Sequence, residues 1–350
     1  MVVIDENLSR RISVAGFVCA CLVVSLHTHV ECEPRTVACW LHQFMVASLG
    51  AVAVPTFFAI SGFLLAGKME TSRWWPREVR KRVASLLVPY LFWNLFYLFL
   101  GMTLGSVLAG IGQTFGDAKW SDLTIGKMVS ALGLNPFRGM QLPFLWFVRS
   151  LFVFVLFAPV FASVKRRWFG LTVIGLLLMF YLLLPQLLPP ATDYCRVHFL
   201  KYAWTKGALF FAVGVYLRFN GHLFSAWRKV PAIIWLALGL GCFVFLGGRV
   251  GSFCSMVCMM LFLWRSLMFF RGGGNFGQLT SCSFPVFLLH SMVLTGLIGV
   301  WRILGIKEFM AKSIVAYFFQ ISLTIAVCVV LTIVMRRFIP KFAKIVFGGR

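Results

Sequence analysis

The sequence predicts an all-α polytopic integral membrane protein with about ten transmembrane helices and both termini in the cytoplasm. Three observations carry this. The chain is 60% hydrophobic and only 12% charged, with a mean hydropathy of +0.90, whereas a soluble domain keeps about 25% charged residues so that its surface stays wet. The apolar residues gather into runs near or above ~18 residues, the length that a helix rising ~1.5 Å per residue needs to cross a ~30 Å hydrocarbon layer. Backbone N–H and C=O groups find no water in lipid, so such runs must close their hydrogen bonds internally as helices.

The runs follow one another at approximately 12–30, 43–67, 83–107, 143–164, 168–189, 200–218, 230–247, 250–270, 282–304 and 311–335. The first follows the polar stretch Met1 to Arg11 and lacks a small-residue cleavage site, so it reads as a retained helix rather than a signal peptide. The sixth is interrupted by Lys201 and Lys206, and the seventh and eighth are joined by little more than Gly247, Gly248 and Arg249, as in a tight helical hairpin. The longest polar connection is 108–142. Little chain remains outside these runs, so residues 1–350 read as a single transmembrane domain, its core at about 10–335, with no soluble extramembrane domain.

Orientation follows from Lys and Arg. The connection between the second and third runs holds Lys68, Arg73, Arg77, Arg80, Lys81 and Arg82, and basic connections stay in the cytoplasm. An even number of spans then returns Arg336 and Arg337 to that side. The formal net charge of +23 would suggest nucleic acid in a soluble chain. Here the cations lie mostly between apolar runs, which fits topology and contact with anionic lipid, not nucleic acid.

Cysteine usage is that of a membrane interior. Cys19, Cys21, Cys242, Cys254, Cys258, Cys282 and Cys328 lie in apolar runs, where Cys behaves as a small hydrophobe. Cys32, Cys39 and Cys195 lie in connections where one bridge could form in an oxidising compartment, though no spacing rule requires it. Gly272–Gly274 can be a flexible linker or an approach to phosphate, the linker being the simpler reading. No internal repeat is visible, as an inverted-repeat transporter would show.

The distribution of charge narrows the chemistry. All ten acidic residues fall outside the apolar runs, which argues against a coupled transporter built on an intramembrane carboxylate and excludes paired-carboxylate catalysis there. The six histidines are scattered without carboxylate company, so no metal site is expected. What remains at membrane depth is basic or neutral: His27 at the end of the first run, Arg149 at the start of the fourth, Lys206 in the sixth and His290 in the ninth. An ionisable group in hydrocarbon costs several kcal/mol, so each should face a cavity or a partner. His27 can be a general base, since imidazole titrates near pH 6.5, or an interfacial residue that ends a helix. His290 can equally be an inter-helix hydrogen-bonding residue.

Five stretches, in order, resemble the acyltransferase family 3 of membrane proteins. They are Val23-Val24-Ser25-Leu26-His27-Thr28; Pro55-Thr56-Phe57-Phe58-Ala59-Ile60-Ser61-Gly62-Phe63-Leu64-Leu65; Leu86-Leu87-Val88-Pro89-Tyr90-Leu91-Phe92-Trp93-Asn94; Leu145-Trp146-Phe147-Val148-Arg149; and Phe287-Leu288-Leu289-His290. The resemblance runs from about residue 10 to 335. It implies O-acyl transfer from acyl-CoA or a related thioester, as co-substrate with no bound cofactor, to a hydroxyl on a sugar or similar acceptor. It also implies that His27 is the catalytic base. Arg149, Lys206, Asn94, His290 and Trp146 would then bind substrate or stabilise charge. Arg73, Arg77, Arg80 and Arg82 would hold donor phosphates, a role that guanidinium geometry suits, although each could equally be a topological anchor on lipid headgroups. Phe58, Ser61 and Gly62 would form the structural motif. Ser61 lacks a nearby base in sequence, so a packing role is favoured over a nucleophile.

Two departures from the family pattern stand out. Many members carry a cation eleven residues before the first-run histidine, where this chain has Gly16. Relatives often have Asp after the Trp-Phe-Val-Arg run, where this chain has Ser150. The expectation is a cytoplasmic-membrane O-acyltransferase acting on a glycan or glycolipid. Its alternatives are a carrier or flippase, or a catalytically silent relative.

Overall fold

The computed structural model describes residues 1–33, 35–110, 124–132, 143–187, 204–223, 229–269 and 276–349. Every regular element among them is helical, and where the predicted runs fall on described residues they overlap helices or broken helices. Cys195, Lys201, Gly272–Gly274 and most of the 108–142 connection lie outside the described residues.

Helix α1 (Glu6–His27) starts where Asp5 accepts a hydrogen bond from the Leu8 N–H at 2.7 Å, and ends where Thr28 turns extended and its hydroxyl donates to the Val24 carbonyl. The second run arrives as α2 (Val37–Phe44), a π turn and a 3-10 turn over 45–52, and α3 (Ala53–Ala66). The third comprises α4 (Trp74–Arg82), a π turn over 83–87 and α5 (Val88–Gly110). Both irregular turns have one cause. A proline ring clashes with the carbonyl four residues earlier, and those residues are Ala51 before Pro55 and Ser85 before Pro89, each inside an irregular turn.

The fourth run is not straight. After α6 (Ile125–Ala131), α7 (Trp146–Leu156) and α8 (Ala158–Phe161) meet at a 71° bend. Pro159 displaces the Val155 carbonyl there, and the Trp75 indole N–H takes up the freed acceptors, donating to Val155 O at 3.2 Å and Leu156 O at 3.1 Å. The bend thereby docks the basic helix α4.

The chain continues through α9 (Arg167–Leu187), α10 (Gly207–Asn220), the α11 (Ala232–Phe245) and α12 (Gly248–Ser266) hairpin, and α13 (Phe276–Ser281). It ends in α14 (Ser283–Ile303), α15 (Lys307–Lys312), α16 (Ile314–Phe338) and α17 (Pro340–Val346). Among the described residues, five helical stretches are long and apolar enough to cross a membrane: Glu6–His27, Val37–Ala66, Trp74–Thr103, Ser283–Ile303 and Ile314–Phe338. The bent α7–α8 pair would make a sixth. The shorter apolar helices include Ala232–Phe245. Large apolar side chains such as Trp168, Phe180, Phe245, Val315 and Phe319 point outward, as a lipid-facing surface requires.

The tightest seam joins α3 to α10. A Cβ on Gly62 would lie 2.2 Å from the Phe211 carbonyl oxygen, and one on Gly214 would lie 2.0 Å from that of Ala59. Lipid tails are as apolar as Leu, so helices in a bilayer associate through close van der Waals contact, which small residues permit. Gly62 is one of the two glycines at this close approach. Ser61 beside it is half-buried.

Candidate active site

Helices α1 and α14 run side by side in the same direction, since Gly16 approaches Ser283 near one end and His27 meets His290 further along. The two imidazole centroids are 5.1 Å apart at an interplanar angle of 37°. Their settings differ. His27 is exposed, at the last residue of α1, whereas His290 is fully buried in the second turn of α14. The His290 Nδ1 lies 2.6 Å from the Phe287 carbonyl, and its Nε2 has no hydrogen-bond partner among the described residues. A carbonyl only accepts, so Nδ1 carries the proton and a neutral ring keeps its Nε2 lone pair free. Phe144 packs edge-on against both rings, at 4.8 Å from His290 and 6.2 Å from His27. Apolar walls around the buried His290 ring keep water scarce there and strengthen any polar contact it makes.

The connector after His27 is held in place from several sides. Tyr317 on α16 donates its hydroxyl to the Ser25 carbonyl at 3.0 Å. His42 on α2 lies edge-on to Tyr317 at 5.3 Å and to His29 at 5.9 Å. Glu31 N–H donates to the Ala311 carbonyl at 2.8 Å. Cys32 and Cys39 are free thiols sharing a hydrogen bond, which raises the Cys32 thiol above its ordinary range. The bridge left open by the sequence is absent between these two, and Cys195 lies outside the described residues.

Arg149 has found a partner other than an acid. Where the family pattern often has Asp, Ser150 is buried, and the Arg149 guanidinium instead hydrogen-bonds the hydroxyl of Tyr90 on α5. That hydroxyl in turn donates to the Leu132 carbonyl. Tyr90 is thus buried in the core and carries two polar contacts through its hydroxyl. Asn94 is fully buried one turn further on, donating to the Tyr90 carbonyl at 2.9 Å, with its Oδ1 unpartnered among the described residues. Trp93 donates to the Val346 carbonyl at 3.0 Å and so holds the C-terminal helix.

Trp146 and Lys206 lie in the packing around Phe58. Trp146 packs on Phe58 at 6.0 Å, and Phe58 leads through Phe147 and Phe287 to His290. Lys206 precedes α10 beside Gly207, which packs against Phe58 and Phe154. The basic segment is split. Arg73, Arg77 and Arg80 are exposed, while Arg82 is turned back to within 3.9 Å of the buried Glu78, which Lys81 also approaches at 3.3 Å. Arg73 takes a left-handed conformation (φ 51°) where the chain enters α4. Among the described residues, no group of three or more His, Cys, Asp or Glu side chains could hold a metal ion.

Sequence reasoning missed Phe144, Tyr317 and the Tyr90–Arg149 pair. The signal available for Phe144 was its place directly before the Leu145-Trp146-Phe147 run. For Tyr317 it was a lone hydroxyl one turn into an apolar helix.

The site therefore presents an exposed imidazole beside a buried one, with Phe144 against both. The family model described as an acyltransferase domain, acyltransferase family 3, matches residues 12–333. The chain belongs to that family. The match begins in α1 and ends in α16, so it takes in both imidazoles, Arg149 and the glycine seam. This membrane acyltransferase is also 24% identical over 384 aligned positions to the succinoglycan biosynthesis protein ExoH of Rhizobium meliloti (strain 1021), covering 99% of this chain and 94% of that relative. No solved structure matches it.

Proposed function

We propose that this acyltransferase moves an acetyl or short acyl group from acyl-CoA, or a similar thioester, to a hydroxyl of a glycan or glycolipid. On this reading the chain spans the inner membrane ten times with both termini in the cytoplasm. The role of the relative in succinoglycan biosynthesis supports a polysaccharide acceptor. The observation that carries the reaction is the exposed His27 ring 5.1 Å from His290, whose Nδ1 is committed to the Phe287 carbonyl.

In the mechanism, the His27 ring turns so that one N–H donates to the free His290 Nε2, a contact not made in the resting structure, and the other His27 nitrogen acts as base. A base oriented by a third group is the arrangement that activates a hydroxyl nucleophile. His27 takes the proton from the acceptor hydroxyl as its oxygen attacks the thioester carbonyl. The tetrahedral intermediate collapses, the C–S bond breaks, and the departing thiolate takes the proton from the His27 imidazolium. Arg149, aligned by Tyr90, stabilises the negative charge gathered on the carbonyl oxygen. Arg73, Arg77 and Arg80 attract the donor's phosphates from the cytoplasmic side, with Lys206 and Asn94 in supporting polar positions.

The test is acyl transfer from labelled acyl-CoA in membranes, with the product identified by mass spectrometry. His27→Ala should lower the rate about 10²–10⁴-fold, the usual contribution of a general base, with unchanged yield of folded protein. Equal labelling by wild type and His27→Ala would refute His27 as base. A wild-type protein that labels nothing, yet alters the distribution of a lipid-linked glycan across the membrane, would favour the carrier reading.

A further inference from the structure

Next to the connector that leaves His27 lies a cavity of about 550 Å³, lined by Arg35, Thr36, Val37, Cys39, Trp40 and Gln43. Its size falls in the range of small-molecule pockets. Trp40 is 44% exposed, and its ring is held from behind: Phe44 stacks on it at 5.7 Å and 5°, and Phe243 meets it edge-on at 6.1 Å. One broad aromatic face is therefore rigid and open. Around it stand polar groups with spare capacity. Arg35 is exposed, without an ion-pair partner among the described residues, and is fixed in a left-handed conformation at φ 70°. The Gln43 amide makes only a long 3.6 Å contact to the Cys39 sulfur. Thr36 is used up in capping α2, bonding Glu33 O and Cys39 N–H, so it shapes the cavity and does not supply free donors.

We propose that this cavity is an acceptor subsite that takes one pyranose ring of a glycan, the class of acceptor on which the functional reading above rests. A pyranose has an apolar face of C–H bonds and a rim of hydroxyls. The apolar face lies on the open side of Trp40, and the rim hydroxyls bond the Gln43 amide and the Arg35 guanidinium. A platform already rigid in the free protein binds at little cost in ordering side chains. The subsite is joined to the imidazole pair through α2 and the connector that Tyr317 and His42 brace. It would hold the glycan while a neighbouring sugar reaches His27.

Saturation-transfer NMR on the 350-residue protein in lipid nanodiscs tests this, using a panel of neutral hexose tetrasaccharides of differing sugar and linkage as probes. Wild type should transfer saturation to the ring protons of at least one probe. Trp40→Ala should weaken that binding about tenfold, as loss of an aromatic anchor does, and Gln43→Ala less. Trp40→Phe, which keeps an aromatic face, should restore most of it and shows that the fold survives. Equal saturation in wild type and Trp40→Ala, or none with any probe, overturns the proposal. Nanodiscs with spin-labelled headgroups that broaden Trp40 while no sugar binds would mark the cavity as a lipid-contact surface and overturn it too. Labelled acyl-CoA turnover, read separately, reports on the functional reading. Turnover without sugar binding sinks only the subsite, and sugar binding without turnover sinks only the donor chemistry.

Discussion

Two helix seams in this molecule are built for opposite ends. The α3–α10 seam is closed by absence of side chain: Gly62 and Gly214 bring each helix onto the other's backbone, and a methyl group at either would sit about 2 Å from a carbonyl oxygen. The α1–α14 seam is held open by side chains, with two imidazoles and a phenyl ring between the helices. The seam richest in recognisable motif residues does the packing. The seam with two sparse histidines is the one to which the proposed chemistry is assigned. A motif thus marks where a fold is least tolerant of change, which need not be where it reacts.

The sharpest way to break that contrast is to crowd the packing seam. Gly214→Val should abolish the monodisperse folded protein in detergent size-exclusion chromatography, because the obstructing atoms are backbone and cannot rotate aside. The milder Gly62→Ala should cost more than the ~1–3 kcal/mol usual for overpacking, seen as a lowered thermal transition. A stable, fully active Gly214→Val would show that the seam is looser than described. The polar seam should respond in the other order, activity before stability. The large rate loss expected of His27→Ala should come with a normal thermal transition, because His27 is exposed.

His290 should fall between the two extremes. His290→Phe removes the lone pair behind His27 and keeps a ring of similar shape in the buried site. Acyl transfer should fall roughly 10–100-fold, within the range of a lost proton-transfer or orienting contact, with the acceptor KM little changed. A fall in folded yield with normal activity per folded molecule would instead make His290 a purely structural residue.

Tyr90→Phe leaves Arg149 without its hydroxyl partner. The expected cost is about 1–3 kcal/mol of stability, as for an unsatisfied charged hydrogen bond, with a several-fold loss of rate. Arg149→Lys should not be rescued by Tyr90, because ammonium and guanidinium differ in hydrogen-bonding geometry.

The smallest effect lies on the connector leaving the polar seam. The Cys39 contact raises the Cys32 thiol. At a given pH less of it is thiolate, and alkylation of Cys32 should need more alkaline conditions than an isolated cysteine. Cys39→Ala should move the labelling profile to lower pH. No shift between the two proteins would show that the thiols do not interact.

Much of the helical framework was legible in the residues alone, because lipid leaves an apolar run no alternative to a helix. What misled was regularity. Runs 43–67, 83–107 and 143–164 look uniform in hydropathy, yet Pro55, Pro89 and Pro159 loosen or bend them through a clash that hydropathy does not register. At the site, His27, His290 and Arg149 could be named from their cost in hydrocarbon, but their partners could not. Ser150 suggested that Arg149 had lost its neighbour, and the replacement came from Tyr90, 59 positions earlier along the chain.

By itself, then, the amino-acid order determined that this is a bundle of apolar helices with a few cations and imidazoles among them, because desolvating a peptide group or a charge has a cost that composition reveals. Only the tertiary structure decided which histidine is buried and which is exposed, which glycines touch a backbone, and that Trp40 stands open over a cavity. Those outcomes depend on distances between residues far apart in the chain, and no local pattern of hydropathy encodes a distance.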